Sequence, residues 1–195
     1  MRDTITNFII AGRDTTASTL SWSMLILSKY PIFYNKIKKE IKDIIGDEEI
    51  TPQKIKKMYY LRGFITEVLR LYPPVPQDTK ICVTNNIKLP SNYIINKGDI
   101  IVYNPLLMGH CDFIWDNPEN IIPERHFNNE PSQYKFPVFN AGYRLCLGKE
   151  MAYLEISIFL IKLIQNFSFE LISKDIKQVV RITLNIQDQL LIKFI

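Results

Sequence analysis

A single cysteine, Cys146, lies in the segment FNAGYRLCLG, residues 139 to 148, just ahead of a long apolar stretch. No second cysteine is near enough in sequence to suggest a disulfide, and no nearby histidine could activate the thiol as a nucleophile. A thiolate is a strong metal ligand, and it is stabilised by backbone N–H groups of a tight loop and by a following helix N-terminus. Gly142 and Gly148 predict such a loop, because glycine permits positive φ and close backbone approach. Outside such a loop, a lone cysteine is more often a small buried hydrophobic residue.

Three further patterns precede this segment: AGRDTT at 11–16, EVLR at 67–70 and PERH at 123–126. Gly12 falls inside a predicted helix, where glycine costs about 1 kcal/mol relative to alanine. Glycine at that cost needs a reason, and the two alternatives are a helix opened at Gly12 and a kinked core helix with Asp14 facing solvent. Glu67 and Arg70 are one helical turn apart and therefore share a face, where an exposed pair would contribute only about 0.3 kcal/mol.

Composition excludes several classes of function. The net charge of +4, from 24 basic and 20 acidic residues, does not favour a nucleic-acid partner. Three cysteines without a C-x-x-C pair predict neither a disulfide framework nor a zinc site, and they favour a reducing compartment. We expect neither His110 nor His126 to bind a metal, because no ligand cluster surrounds them. No apolar run reaches the roughly 18 residues of a spanning helix and no signal peptide is evident, so we expect no membrane anchor in this chain.

The patterning predicts an α+β fold that is mainly helical with small β-sheets. Helices are expected at 4–27, 33–45, 59–72 and 149–166, with Thr51 and Pro52 starting a short turn before the third. The last helix is apolar nearly all round, which is typical of a buried helix. Short strands are expected within 79–90, 93–104, 167–172, 179–186 and 190–195. A proline-rich loop covers 115–138, and loops of that length are usually functional or braced by side chains.

Taken together and in this order, the four patterns resemble the cytochrome P450 family of haem-thiolate monooxygenases. The resemblance covers essentially all 195 residues and implies a single partial domain, 1–195, forming the haem-binding C-terminal part of that fold. It implies haem b as cofactor, with Cys146 as the axial ligand of the haem iron. Phe139 would shield the sulfur, and Arg144 would pair with a haem propionate.

The resemblance also assigns roles outside the cysteine segment. Thr15 would hydrogen-bond on the oxygen side of the haem, and Asp14 would help to relay protons. Lys80 stands where an arginine often meets a propionate, and Tyr143 stands where most relatives have proline.

The remaining implied role is structural. Glu67 and Arg70 would form a buried triad with Arg125 of the PERH segment, beneath the haem. The planar guanidinium of an arginine can serve two partners, which would explain how the 115–138 loop is held.

The implied function is insertion of one oxygen atom from O2 into an apolar substrate, with electrons from a reductase. The motifs look most like those of the fatty-acid and alkane hydroxylases of fungi and plants. The full-length form would be intracellular, on the cytoplasmic face of the endoplasmic reticulum, held by an N-terminal anchor that this chain lacks. We expect the 195-residue chain alone to be inactive and its last helix to keep an exposed flank.

Two alternatives remain open at this point. One is a truncated, non-catalytic remnant that retains the haem-binding loop. The other is a cysteine-nucleophile enzyme, which would need a general base near Cys146 and has only His110 and His126 as histidine candidates.

Overall fold

A computed structural model describes residues 1–127 and 130–195 of the chain. The helices are α1 (Arg2–Lys29), α2 (Pro31–Ile44), α3 (Pro52–Ile55), α4 (Tyr59–Leu71), α5 (Pro105–Gly109) and α6 (Lys149–Asn166). The strands are β1 (Asp78–Ile81), β2 (Ile87–Lys88), β3 (Ile94–Ile95), β4 (Ile100–Tyr103), β5 (Phe169–Leu171), β6 (Gln178–Val180), β7 (Leu184–Ile186) and β8 (Ile192–Phe194). The predicted class, mainly α with small sheets, is confirmed.

Prolines and caps set the helix ends, as the sequence predicts. Pro31 lacks a backbone N–H and starts α2 instead of extending α1. Thr51 caps α3, since its side chain accepts a hydrogen bond from the Lys54 amide at 3.3 Å. Gly46 follows α2 with φ +57°, a conformation that favours glycine. Helix α6 has the predicted bounds, and the other helices differ from prediction by a few residues.

Helix α4 lies at the centre of the core. Its residues Leu61, Phe64, Ile65 and Val68 are fully buried, and it packs against α1, α2 and α6. Only the C-terminal half of α1 joins this core, because the buried residues of α1 begin at Thr16.

The sheets are small and antiparallel. Each described sheet has two strands, which pair as β1–β4, β2–β3, β5–β8 and β6–β7. The predicted strand at 179–186 is two strands, because residues 181–183 turn the chain back on itself. Helix α5 and the 3-10 turns at Pro123–His126 and Pro137–Phe139 were not predicted. Those segments are too short for a hydrophobic period to show.

The prediction that α6 is buried holds for one side of the helix only. Ile156, Leu160, Ile161 and Ile164 are buried, whereas Met151 and Phe159 are 63% and 46% exposed. The exposed flank that we expected for the chain on its own is present. Within the described ranges, no helix is both long enough and apolar enough to cross a membrane.

Candidate functional site

A cavity of about 590 Å³ lies between the N-terminal half of α1 and the cysteine loop that precedes α6. One wall comes from α1 and the opposite wall from the loop and the start of α6. Its lining is mostly apolar and includes Phe8, Ala11, Gly12, Thr15, Leu69, Val75, Val138, Phe139, Cys146, Leu147, Ala152 and Ile156.

The cysteine loop turns sharply at Gly142, which has φ +62° as its position in the sequence predicts. The Cys146 amide donates to the Phe139 carbonyl at 2.7 Å, which closes the loop. Gly148 has an ordinary φ of −86° and precedes α6, so the positive φ expected for glycine at this position is absent. A Cβ at Gly148 would lie 3.8 Å from Cys146 Sγ. The thiol is free and exposed.

The α1 wall carries Gly12 and Thr15. A Cβ added at Gly12 would meet nothing within 4 Å, so the missing side chain leaves open space there. The expectation that the helix is opened at Gly12 is wrong, because α1 continues unbroken through it. The Thr15 hydroxyl donates to the Ala11 carbonyl at 2.8 Å, within the same turn.

Asp14 is not brought to the cavity. It is one residue, and so about 100° of helix rotation, away from Thr15. Its side chain is 68% exposed, with Oδ1 3.9 Å from Arg13 Nε. Thr15 and Cys146 therefore share the cavity, while Asp14 faces solvent.

The other predicted haem contacts lie around the loop. Phe139 lines the cavity and packs on Tyr153, with ring centroids 5.6 Å apart. Arg144 is exposed at the end of the 3-10 turn Gly142–Arg144, next to the fully exposed Tyr143. Lys80 lies on β1, with Nζ 3.0 Å from Asp78 Oδ2, so its charge is shared with a carboxylate that lines the cavity.

Glu67 lies at the centre of a buried ionic cluster. Arg70 contacts it at two points, and the Nε of Arg125 lies 3.3 Å from Glu67 Oε1. His126 is a further partner, with Nε2 2.8 Å from the same oxygen, and the Ile122 amide donates to Oε2 at 2.9 Å. The structure thus brings together the three predicted residues and a histidine that sequence reasoning assigned no role.

The sequence did carry a signal for His126, since it directly follows Arg125, which was already expected to join the Glu67 cluster. Its ring also packs edge-on against Trp115, with centroids 5.9 Å apart. The site therefore keeps the packing of an aromatic ring and adds a hydrogen bond to Glu67.

Burial acts to raise the pKa of Glu67, but the donors around it outweigh that effect and lower the pKa to about 2.

Arg70 also donates to the carbonyls of Gly109, Pro118 and Asn120, so the cluster ties α4 to the 115–138 loop. A Cβ at Gly109 would overlap the Arg70 carbonyl oxygen, so the close approach leaves no room for a side chain.

The residues around the cavity fit an apolar, metal-bearing ligand. The cavity has an exposed cysteine in one wall and the empty space beside Gly12 in the other. A single thiolate donor is what haem iron takes in haem-thiolate proteins. No group of three or more metal-ligating side chains occurs in the part of the chain that the structure describes, so a metal site built from side chains alone finds no support there.

A family model described as "Cytochrome P450" matches residues 1–192. The chain belongs to the cytochrome P450 family. Cytochrome P450 704C1 of Pinus taeda is 35% identical over 96% of this chain and 40% of its own length. Cytochrome P450 94C1 of Arabidopsis thaliana is 32% identical over 93% of this chain and 38% of its own length. Cytochrome P450 86B1 of the same plant is 39% identical over 78% of this chain and 30% of its own length.

The chain therefore spans about two fifths or less of the length of these cytochrome P450 relatives. Members of the family are haem-binding monooxygenases, so the predicted recognition, the enzyme class and the haem cofactor agree with the comparisons.

Both histidines of the chain are engaged elsewhere, His110 with Glu119 and the Leu71 carbonyl, and His126 with Glu67. This placement argues against a cysteine nucleophile activated by histidine.

Proposed function

We propose that this chain forms the haem-binding part of a monooxygenase, with residues 1–195 acting as one partial domain. The observation that carries the proposal is the cavity that Gly12 and Thr15 share with Cys146. Haem, when bound, supplies the redox centre at which O2 is activated. The substrate would be an apolar small molecule, and a reductase would supply the electrons.

Each wall of the cavity has a separate task in this proposal. Cys146 would hold the haem iron through its thiolate, and the loop that closes on the Phe139 carbonyl would keep the sulfur at the cavity wall. Thr15 would hold a hydroxyl at the opposite wall, where rotation about its Cα–Cβ bond could turn the O–H from the Ala11 carbonyl towards a ligand in the cavity. Asp14 lies on the same helical turn but faces solvent, so its proposed part in proton relay would be played from the solvent side of α1. Arg144 and Lys80 are the proposed propionate partners at the loop and at β1.

The finer assignment, hydroxylation of a fatty acid or an alkane, is supported by the motifs AGRDTT and FNAGYRLCLG. The mostly apolar cavity lining is compatible with such a substrate. Binding at the endoplasmic reticulum membrane, on its cytoplasmic face, is part of the same proposal.

A second candidate is a non-catalytic remnant that keeps the haem-binding loop. The observation that favours it is the uncovered apolar flank of α6, which leaves one side of the site without a protein neighbour in the described residues. Both candidates predict haem uptake, so turnover is what separates them. The first predicts product when this part works within a complete monooxygenase supplied with a reductase, the second predicts none, and the 195-residue chain alone is expected to be inactive.

Haem titration with a cavity-filling variant tests the proposed site. Leucine at Gly12 has room for its side chain and improves helix propensity, so Gly12→Leu is expected to fold and to fill the space opposite Cys146. Ala17→Leu is the matched control, because Ala17 is an exposed residue of the same helix outside the cavity lining. We expect Gly12→Leu to weaken haem affinity at least about tenfold, a loss of about 1.4 kcal/mol, and Ala17→Leu to leave it unchanged. Equal affinities for the two variants would place the haem elsewhere.

A further inference from the structure

Asn140 in the cysteine loop adopts a backbone conformation that favours glycine. Its φ is +68° and its ψ is −172°, and it lies one residue after Phe139. A side chain at such a φ and ψ is sterically disfavoured, so the surrounding structure has to hold the residue there.

The asparagine side chain is held from the neighbouring two-stranded sheet. Asn140 Nδ2 donates to Asp78 Oδ2 at 3.2 Å. The Tyr103 hydroxyl, with one proton to donate, lies 2.5 Å from that carboxylate oxygen and 2.6 Å from Asn140 Oδ1. Asp78 and Tyr103 are direct partners across the β1–β4 pair, so strand pairing fixes their separation.

The carboxylate at the centre of this network stays charged. Partial burial acts to raise the pKa of Asp78, but hydrogen bonds from Tyr103, Lys80, the Thr79 amide and Asn140 hold that pKa well below its usual range. Asp78 is therefore an anionic acceptor over the whole pH range in which the protein would function, and hydrogen bonds to a charged group are the stronger ones.

The network connects directly to the cysteine. Asn140 fixes the direction in which the chain leaves Phe139, and the Phe139 carbonyl receives the Cys146 amide at 2.7 Å. We infer that Asp78 and Tyr103 are positioning residues, which hold Asn140 in its unfavourable conformation and thereby set the place of the Cys146 sulfur. The inference rests on the proposed function in so far as Cys146 is the haem ligand.

Lys80 acquires a different part in this arrangement. Its ammonium donates to Asp78 and lies over the Tyr103 ring, 5.3 Å from the centroid. It therefore supports the network through the same Asp78 oxygen that accepts from Asn140, whether or not it also meets a propionate.

A double-mutant cycle on the 195-residue chain tests the inference. Tyr103→Phe removes only the hydroxyl, and Asn140→Gly removes the conformational conflict, since glycine adopts this φ and ψ freely. The control is Tyr134→Phe, because Tyr134 is an exposed tyrosine whose hydroxyl would lie 3.9 Å from a Cβ at Gly142 of the same loop. The rate of hydrogen exchange of the Cys146 amide is measured without haem. With haem supplied, the fraction of bound haem that shows a thiolate-type absorption spectrum is measured.

We expect Tyr103→Phe to speed exchange of the Cys146 amide about tenfold and to lower the fraction of bound haem with a thiolate-type spectrum. The Tyr134→Phe control should change neither quantity. In the Asn140→Gly background, Tyr103→Phe should have little further effect. Asn140→Ala, which keeps the conflict and loses the side-chain bonds, should be more damaging than Asn140→Gly.

The outcomes separate this inference from the proposed function. Faster exchange in haem-free Tyr103→Phe supports the positioning role even if the unmodified chain gives no thiolate spectrum, a result that would count only against haem binding. A chain with a thiolate spectrum in which Tyr103→Phe changes neither exchange nor spectrum would overturn the positioning role and leave haem binding standing. Equal effects of Tyr103→Phe in the unmodified chain and in the Asn140→Gly background would also overturn it.

Discussion

Arg70 and Glu67 meet at two points, Nε to Oε1 at 2.8 Å and Nη2 to Oε2 at 2.9 Å, and both side chains are completely buried. A two-point pair between a guanidinium and a carboxylate is geometrically specific, but burying it costs several kcal/mol of desolvation for each ion. The pair is therefore tolerated only while every member of the cluster is in place.

Arg70→Ala is expected to destabilise the chain by roughly 3 to 5 kcal/mol, because it leaves the Glu67 carboxylate buried and short of donors. Loss of the bonds to Pro118 and Asn120 should also release the 115–138 loop from α4. Chemical unfolding followed by circular dichroism measures the effect. The control is Lys39→Ala, which breaks the exposed i,i+4 pair with Asp43 and should cost less than about 0.5 kcal/mol. Similar costs for the two variants would show that the buried Arg70–Glu67 pair contributes no more to stability than an exposed ion pair.

Acid should destabilise the chain through Glu67. Its pKa is lowered from 4.5 to about 2 by folding, so its stabilising contribution is complete above pH 4.5 and is lost as the pH falls towards 2. A shift of that size corresponds to roughly 3 kcal/mol. The free energy of unfolding, measured from pH 6 to pH 2, should decrease as the pH drops from 4.5 to 2. In Glu67→Gln this decrease should be smaller.

Glu48→Gln provides the comparison for the acid series. The Glu48 carboxylate is 80% exposed beside Lys54, where solvent screens the pair. Its removal should leave the acid profile nearly unchanged. An acid slope that is the same in Glu67→Gln as in the unmodified chain would contradict the part assigned to the buried cluster.

The exposed flank of α6 should cause self-association. Met151, Ile158 and Phe159 are all exposed on this helix, and contiguous apolar surface favours contact between molecules. We expect concentration-dependent association in sedimentation velocity, and the double variant Ile158→Gln, Phe159→Gln should reduce it. Ile182→Gln removes an apolar side chain that is exposed outside this helix, and it should not reduce the association. A chain that sediments as a monomer at all concentrations would show that this flank is inert.

Local signals made much of the fold predictable. Helix α6 begins after Gly148 and ends where its apolar pattern ends, and Thr51 with Pro52 marked the start of α3. By contrast, the pattern of α6 could not reveal its exposed side. A helix that is apolar all round is typically buried on every side, and its sequence does not show which side lacks a neighbour. Whether a neighbour supplies that cover is a property of the tertiary structure.

The candidate site was predictable as far as its motifs reach. Cys146, Gly142 and Thr15 were all found from the sequence, and they line or shape one cavity. The bond from His126 to Glu67 and the network around Asn140 were missed, because each joins residues 37 to 62 positions apart in sequence. The unbroken helix at Gly12 was also missed, since glycine's cost in a helix predicts a weak point without deciding whether the chain opens there.

The most direct test of the account is the absorption spectrum of the reduced, carbon monoxide-treated chain after haem has been supplied. We predict the red-shifted Soret band of a thiolate-bound haem, at less than one haem per chain because the α6 flank is uncovered. Cys146→Ser should abolish that band, and Cys111→Ser, a change at a partly exposed cysteine outside the cavity lining, should keep it. A thiolate-type band that survives in Cys146→Ser would contradict the assignment of Cys146 as the haem ligand.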